Sequence, residues 1–186
     1  MKHKLTNVRL TFPALHTPEA VAGEGKPAFS ACFLIAKTDP QIAAINATIA
    51  AVAASKWGEK KAPEMITLLT AQDKVCLHDG SLKTQYEGFD DALYISARSS
   101  TRPLVIDTDK SALVEADGRP YSGCYVHASV DVWAQDNSYG KRINAQLQGV
   151  QFLRDGDSFG GGVPASIDDF DDVSVLAESG DTAGLF

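Results

Sequence analysis

Apolar and polar positions alternate with a period of two over several long stretches of the chain, and one stretch replaces that rhythm with a helical one. Leu5 to Phe12 alternates, with Thr6, Val8, Leu10 and Phe12 on one face and Leu5, Asn7, Arg9 and Thr11 on the other, and Pro13 ends the pattern. After a loop holding Pro18, Gly23, Gly25 and Pro27, the run Phe29 to Ile35 is apolar on both faces, as a strand buried on both sides would be. Asp39 is a good N-cap and Pro40 fits a first helical position. Ile42, Ile45, Ile49 and Val52 then form one stripe before Gly58, which predicts a helix over these residues. A shorter helix is predicted around Glu64 to Thr70, then an extended piece from Lys74 to His78 and a turn at Asp79-Gly80.

Alternation returns at Leu93 to Arg98, with Leu93, Ile95 and Ala97 inward and Tyr94, Ser96 and Arg98 outward, and Pro103 to Asp107 continues it. From Gly123 to Trp133 the apolar face is Val126, Ala128, Val130 and Val132, and Tyr125, His127, Ser129, Asp131 and Trp133 look the other way. Gln135 to Gly140 has hairpin-loop composition, and Lys141 to Leu153 is the returning strand, with Arg142, Asn144, Gln146 and Gln148 on its polar side. About five long strands with one substantial inserted helix predict a mainly β domain, an OB-like five-stranded Greek-key barrel. No internal repeat is visible.

Charge changes the picture at the C-terminal end. All 17 basic residues lie at or before Arg154 together with 16 of the 24 acidic ones, so this body is +1, and the remaining 32 residues carry the other eight acids and no base. The −7 of the whole chain is therefore the +1 of this body and the −8 of residues 155–186, which also hold Gly160-Gly161-Gly162 and end in Leu185-Phe186. Such a block cannot bury enough apolar surface to fold. The expected organisation is a barrel domain over 1–154 and a disordered acidic tail over 155–186. Nothing in the sequence is apolar for long enough to span a bilayer, and the N-terminus runs straight into strand-like residues, so a cytoplasmic protein is expected. Three widely spaced cysteines, Cys32, Cys76 and Cys124, suit reduced interior positions.

The outward faces carry the candidate chemistry. Tyr94, Tyr125 and Trp133 interleave with Arg9, Arg98, Arg102, Lys141 and Arg142. Single-stranded nucleic acid needs these two residue kinds together, because planar rings stack on unpaired bases while cationic groups hold the phosphates. Rival sites are weaker. Cys76-Leu77-His78-Asp79 has no second ligand pair at zinc-finger spacing, and Asp107-Thr108-Asp109-Lys110-Ser111 lacks the glycine and glutamate of a calcium loop. Gly160-Gly161-Gly162 has no lysine after it to make a phosphate loop, and no local set of residues suggests catalysis, so no enzyme, cofactor or metal is expected.

Several segments resemble a known family. Tyr94-Ile95-Ser96-Ala97-Arg98, Arg102-Pro103, Tyr121-Ser122-Gly123-Cys124-Tyr125-Val126, Gly149-Val150-Gln151 and Arg154-Asp155-Gly156 are similar to the phage single-stranded DNA-binding proteins of the T7 type. The resemblance implies an OB fold, an acidic tail ending in phenylalanine, and binding of single-stranded DNA during phage replication, recombination and repair. It also implies that Asp168, Asp169, Asp171, Asp172, Leu185 and Phe186 regulate access to DNA and recruit replication proteins such as a DNA polymerase. A homodimer is compatible with it. A different class also accommodates the tail, an acidic DNA mimic or inhibitor that binds a basic nucleic-acid enzyme. A mimic should spread its acid over the folded surface, and this body is slightly basic.

Overall fold

A computed structural model describes residues 1–21 and 24–160. Five long strands, β1 (Lys2–Val21), β2 (Glu24–Ala36), β4 (Ala92–Ser99), β6 (Tyr125–Asn137) and β7 (Gly140–Arg154), close a barrel in the order β1-β2-β4-β7-β6 and back to β1. All neighbours are antiparallel except at the closure, where β4 and β7 run parallel through Ala97–Ala145 and Arg98–Gln146. Short strands extend the sheet: β3 (Leu77–Asp79) pairs with β4, and β5 (Leu104–Ile106) pairs with β7. Pro103 to Asp107 thus leaves β4 instead of continuing it.

Two helices, α1 (Gln41–Trp57) and α2 (Ala62–Ala71), join β2 to β3. Asp39 caps α1 as its sequence predicts, its Oδ1 accepting from the Gln41 backbone N–H at 2.9 Å. Ile45, Ile49 and Val52 point into the core beside Leu5, Val8, Phe33, Val126 and Leu147. Burial of each such side chain contributes about 1.5–3 kcal/mol. The Gln41 side chain clasps the Thr6 backbone, and Trp57 Nε1 donates to Asp136 Oδ2 at 2.8 Å, so both ends of α1 are tied to the barrel.

Between Leu5 and Ala14, strand β1 departs from the simple alternation because of two bulges, and further register shifts follow towards Val21. Between Leu5 and Val8 it uses three steps where β6 uses two, and between Thr11 and Ala14 three where β2 uses two. Each extra residue flips the faces. Leu5, placed by the alternation on the face opposite Val8 and Leu10, is fully buried with them, whereas Phe12, placed on their face, is 53% exposed. Pro13 does not end the strand, because it lies in the second bulge and beyond the last β6 partner of β1, where no ladder donor is required.

The barrel unit also extends past Arg154. Residues 155–160, expected as the root of the tail, form an ordered strap across the outside of β1, β2 and β4. Arg9 Nη2 donates to the Asp157 carbonyl at 2.7 Å, the Phe159 N–H to the Ser122 carbonyl at 3.1 Å, and the Tyr121 hydroxyl to Asp155 at 2.8 Å. Gly123 has φ of 107°, and a Cβ there would lie 2.1 Å from the Asp157 carbonyl oxygen. The glycine is therefore what lets the strap cross.

Candidate nucleic-acid interface

A groove of about 580 Å³ runs over the parallel seam of the barrel, bounded by β2, β4, β6 and β7. Lys26, Arg98 and Arg142 supply its cations, Trp133 and His78 its flat rings, and Ser96 and Asn144 lie among its polar groups. None of the lining residues is acidic, in a chain whose formal charge is −7. Trp133 stands beside Asn144 across the β6–β7 ladder and is 42% exposed. Arg98 Nη2 donates to the Lys26 carbonyl at 2.6 Å, which orients the guanidinium while the side chain remains exposed. His78 Nδ1 lies 2.5 Å from Asp73 Oδ1, and its ring stacks on Tyr94 at 4.8 Å. A concave, cationic, carboxylate-free surface with an exposed indole suits a polyanion that carries unpaired bases.

Of the eight residues singled out in the folded body, Arg98, Trp133 and Arg142 meet in this groove. Lys141 is beyond it at the β6–β7 hairpin, 3.6 Å from Asp136. Arg102 lies just after groove residue Ser100, with Nη2 3.2 Å from His16 Nδ1.

The other three are elsewhere. Tyr94 follows the outward pleat as predicted but is not exposed. Phe89 meets it edge-on at 5.2 Å and Lys83 Nζ sits 4.7 Å over its ring, leaving it 4% accessible. It is a packing residue beneath the 80–91 loop and the strap, a correction to its assignment as a base contact. Arg9 is committed to the strap, donating to the Gly123 and Asp157 carbonyls and lying 4.0 Å from the centre of the Phe159 ring. Tyr125 is half-buried with the Arg154 guanidinium 3.5 Å over its ring.

Lys26 and His78 are groove residues that the sequence reading missed. Lys26 falls in the Gly- and Pro-bearing stretch that the sequence reads as a loop, although it belongs to β2, and His78 drew notice only as a metal ligand. Among the described residues, no three His, Cys, Asp or Glu side chains gather as a metal-binding group. Burial pushes the thiols of Cys32 and Cys76 up to about 12 and that of Cys124 to about 11, so all three stay protonated at neutral pH. The tail residues Asp168, Asp169, Asp171, Asp172, Leu185 and Phe186 lie outside the described residues.

Comparison with known proteins agrees with the barrel. The family model described as Enterobacter phage Enc34, ssDNA-binding protein, matches residues 1–182. The chain belongs to this family. It is a family of binding proteins, not of enzymes. Protein p50 of Acyrthosiphon pisum secondary endosymbiont phage 1 is 47% identical over 180 residues, which is 96% of this chain and 97% of p50. The single-stranded DNA-binding protein of bacteriophage Enc34, solved in complex with single-stranded DNA, is 28% identical with a TM-score of 0.64, over 86% of this chain and 89% of that one. The T7 single-stranded DNA-binding protein gp2.5 superposes with a TM-score of 0.54 over 100% of this chain and 99% of its own at 12% identity, a likeness of fold alone. The five-stranded closed barrel with its helices is thus the OB-like fold of the Enc34 family. Among the described residues no helix is long and apolar enough to cross a membrane.

Proposed function

We propose that this chain is a phage single-stranded DNA-binding protein that holds an unpaired strand in the groove over the β4–β7 seam. The observation that carries the reading is the composition of that groove, with Lys26, Arg98 and Arg142 around an exposed Trp133 and no carboxylate among the lining residues. The cations neutralise phosphates whatever the sequence, and the indole stacks on any base, so recognition is of strandedness and not of sequence. Binding only the unpaired form shifts the melting equilibrium of hairpins by mass action. Coating of this kind serves phage replication, recombination and repair in the host cytoplasm.

The tail adds regulation in this reading. Residues 161–186 carry six acids and no base, and they follow a strap fixed on the outer face of β1, β2 and β4. Tethered there, the carboxylates compete with phosphates for the groove at high effective concentration, and Leu185-Phe186 docks a replication partner such as a polymerase. Titrating the full chain with single-stranded and duplex oligonucleotides while following tryptophan fluorescence tests the central claim. Quenching by the unpaired strand, lost in Trp133→Ala, is the expected result. Equal affinity for duplex and single strand would overturn it.

A further inference from the structure

The second bulge of β1 does something that closing a barrel does not require. It places Phe12, a bulky side chain, at φ of 48°, in the left-handed region that such residues rarely adopt. The same bulge turns the ring out of the core, to 53% exposure. The first bulge, by comparison, puts Asn7 at φ of 49°, where asparagine is tolerated. Phe12 is met at 5.0 Å by Tyr86, itself 42% exposed, in an edge-to-face pair. Bulges recur where a strand must re-aim a side chain towards a ligand.

The pair is joined to the groove by rings. From His78, which lines the groove, the ring-to-ring steps are 4.8 Å to Tyr94, 5.2 Å to Phe89 and 6.2 Å to Phe12, so Phe12 lies within about 16 Å of the groove wall. At 3.4 Å per nucleotide of a stacked strand that is about five nucleotides, and fewer if the strand is extended. The last ring, Phe12, is exposed and His78 keeps only an edge open to the groove at 14% side-chain accessibility, while Tyr94 and Phe89 are buried between them and hold their spacing.

We propose that Phe12 and Tyr86 form a second stacking platform for unpaired bases, taking the strand as it leaves the groove past His78. The proposal rests on the groove being the primary DNA site. Lys83 is the one basic residue between 80 and 91, against Glu87, Asp90 and Asp91, so the platform acts through ring faces and not through phosphate charge. Its contribution should therefore leave the salt dependence of binding almost untouched.

The test uses the full chain and fluorescein-labelled oligo-dT of about 5 and about 15 nucleotides, spanning the range of site sizes of one OB barrel. Phe12→Gly removes the ring and relieves the positive φ, so its thermal midpoint should hold or rise. Phe12→Gly and Tyr86→Ala should each weaken the longer oligonucleotide about tenfold, leave the shorter within about twofold and keep the salt slope, with Phe12→Trp retaining affinity. Folded Phe12→Gly and Tyr86→Ala proteins that bind the longer strand as tightly as the parent, while Trp133→Ala weakens it, would overturn the platform and leave the groove standing. Equal losses on both lengths would also overturn it, because the rings would then belong to the groove. A parent protein that bound neither length would remove the groove reading and the platform with it.

Discussion

On the strap side of the barrel, Arg9 donates to two backbone carbonyls and covers Phe159, and Arg154 lies over Tyr125. On the groove side, Arg98 donates to one carbonyl, and Arg142 and Trp133 remain exposed with no acidic residue lining the wall. Both sides hold arginines and aromatics on outward strand positions. One set is used by the chain on itself and the other stays open to solvent. Residue type and pleat direction do not separate the two cases, and what does is whether a distant segment returns to cover them.

The largest effect that would break this contrast is expected at Gly123. Gly123→Ala forces a Cβ to within 2.1 Å of the Asp157 carbonyl oxygen at a left-handed φ. Its cost should be about 3 kcal/mol, read by chemical denaturation, with faster proteolysis just after Arg154 as the strap lifts. Unchanged stability would mean that the strap does not depend on this crossing.

Next comes affinity. Trp133→Ala should lose about 1–3 kcal/mol of single-strand binding without altering the unfolding midpoint. Arg142→Ala should lower the salt slope by about 0.7. Arg9→Ala should do the reverse, costing about 1–2 kcal/mol of stability through its lost hydrogen bonds while the salt slope stays. A fall in salt slope for Arg9→Ala would move the DNA path onto the strap side.

The strap also explains what the sequence did and did not make legible. Ile95 and Ala97 in β4, the Val126–Val132 face of β6 and the stripe and cap of α1 are local patterns and lie where periodicity puts them, whereas Leu93 is only partly buried and the strands run on to a two-residue turn at Ser138-Tyr139. Tyr121-Ser122-Gly123 and Arg154-Asp155-Gly156, which carry the family resemblance, turn out to meet each other at the strap crossing. The composition of residues 155–160 is that of a solvated tail, and only their tertiary partners reveal them as part of the fold. The bulges of β1 were hidden for a similar reason, since an extra residue is defined by the register of the neighbouring strand and not by anything in β1 alone.

A smaller effect is expected from the tail. Truncation after Gly160 keeps the strap and removes six of the 24 acids, leaving 18 against 17 bases and a charge of −1. Single-stranded DNA should bind several-fold more tightly at low salt, with the gain shrinking as screening rises. No gain would confine the tail to partner docking or solubility. Deleting only Leu185-Phe186 should leave DNA affinity alone and weaken partner binding.

The smallest concerns pH. Burial, with a contribution from Lys4, holds His127 below the ordinary histidine value, and its Nδ1 accepts the Asn7 N–H at 3.1 Å in the first bulge. Burial lowers His3 as well. The unfolded chain then binds protons more readily than the folded one, so stability should fall as pH drops through about 6.5. Denaturation midpoints at neutral and mildly acidic pH should show this, and His127→Asn should flatten it. A midpoint that rises on acidification would contradict the sign.

The barrel closes through only two residue pairs, Ala97–Ala145 and Arg98–Gln146, and the groove lies directly above them. Every other pair of neighbouring long strands shares six or more residue pairs, so this seam is the least secured of the five. In the proposed complex, a strand held by Arg98 on one side of that seam and by Trp133 and Arg142 on the other acts as a clasp across the joint with the fewest pairs. Opening of the seam then requires the ligand to let go, so the protection of the Ala97 and Arg98 amides from hydrogen exchange becomes a direct gauge of occupancy. On the proposed groove reading, the joint with the fewest pairs is also the one that bound DNA fastens.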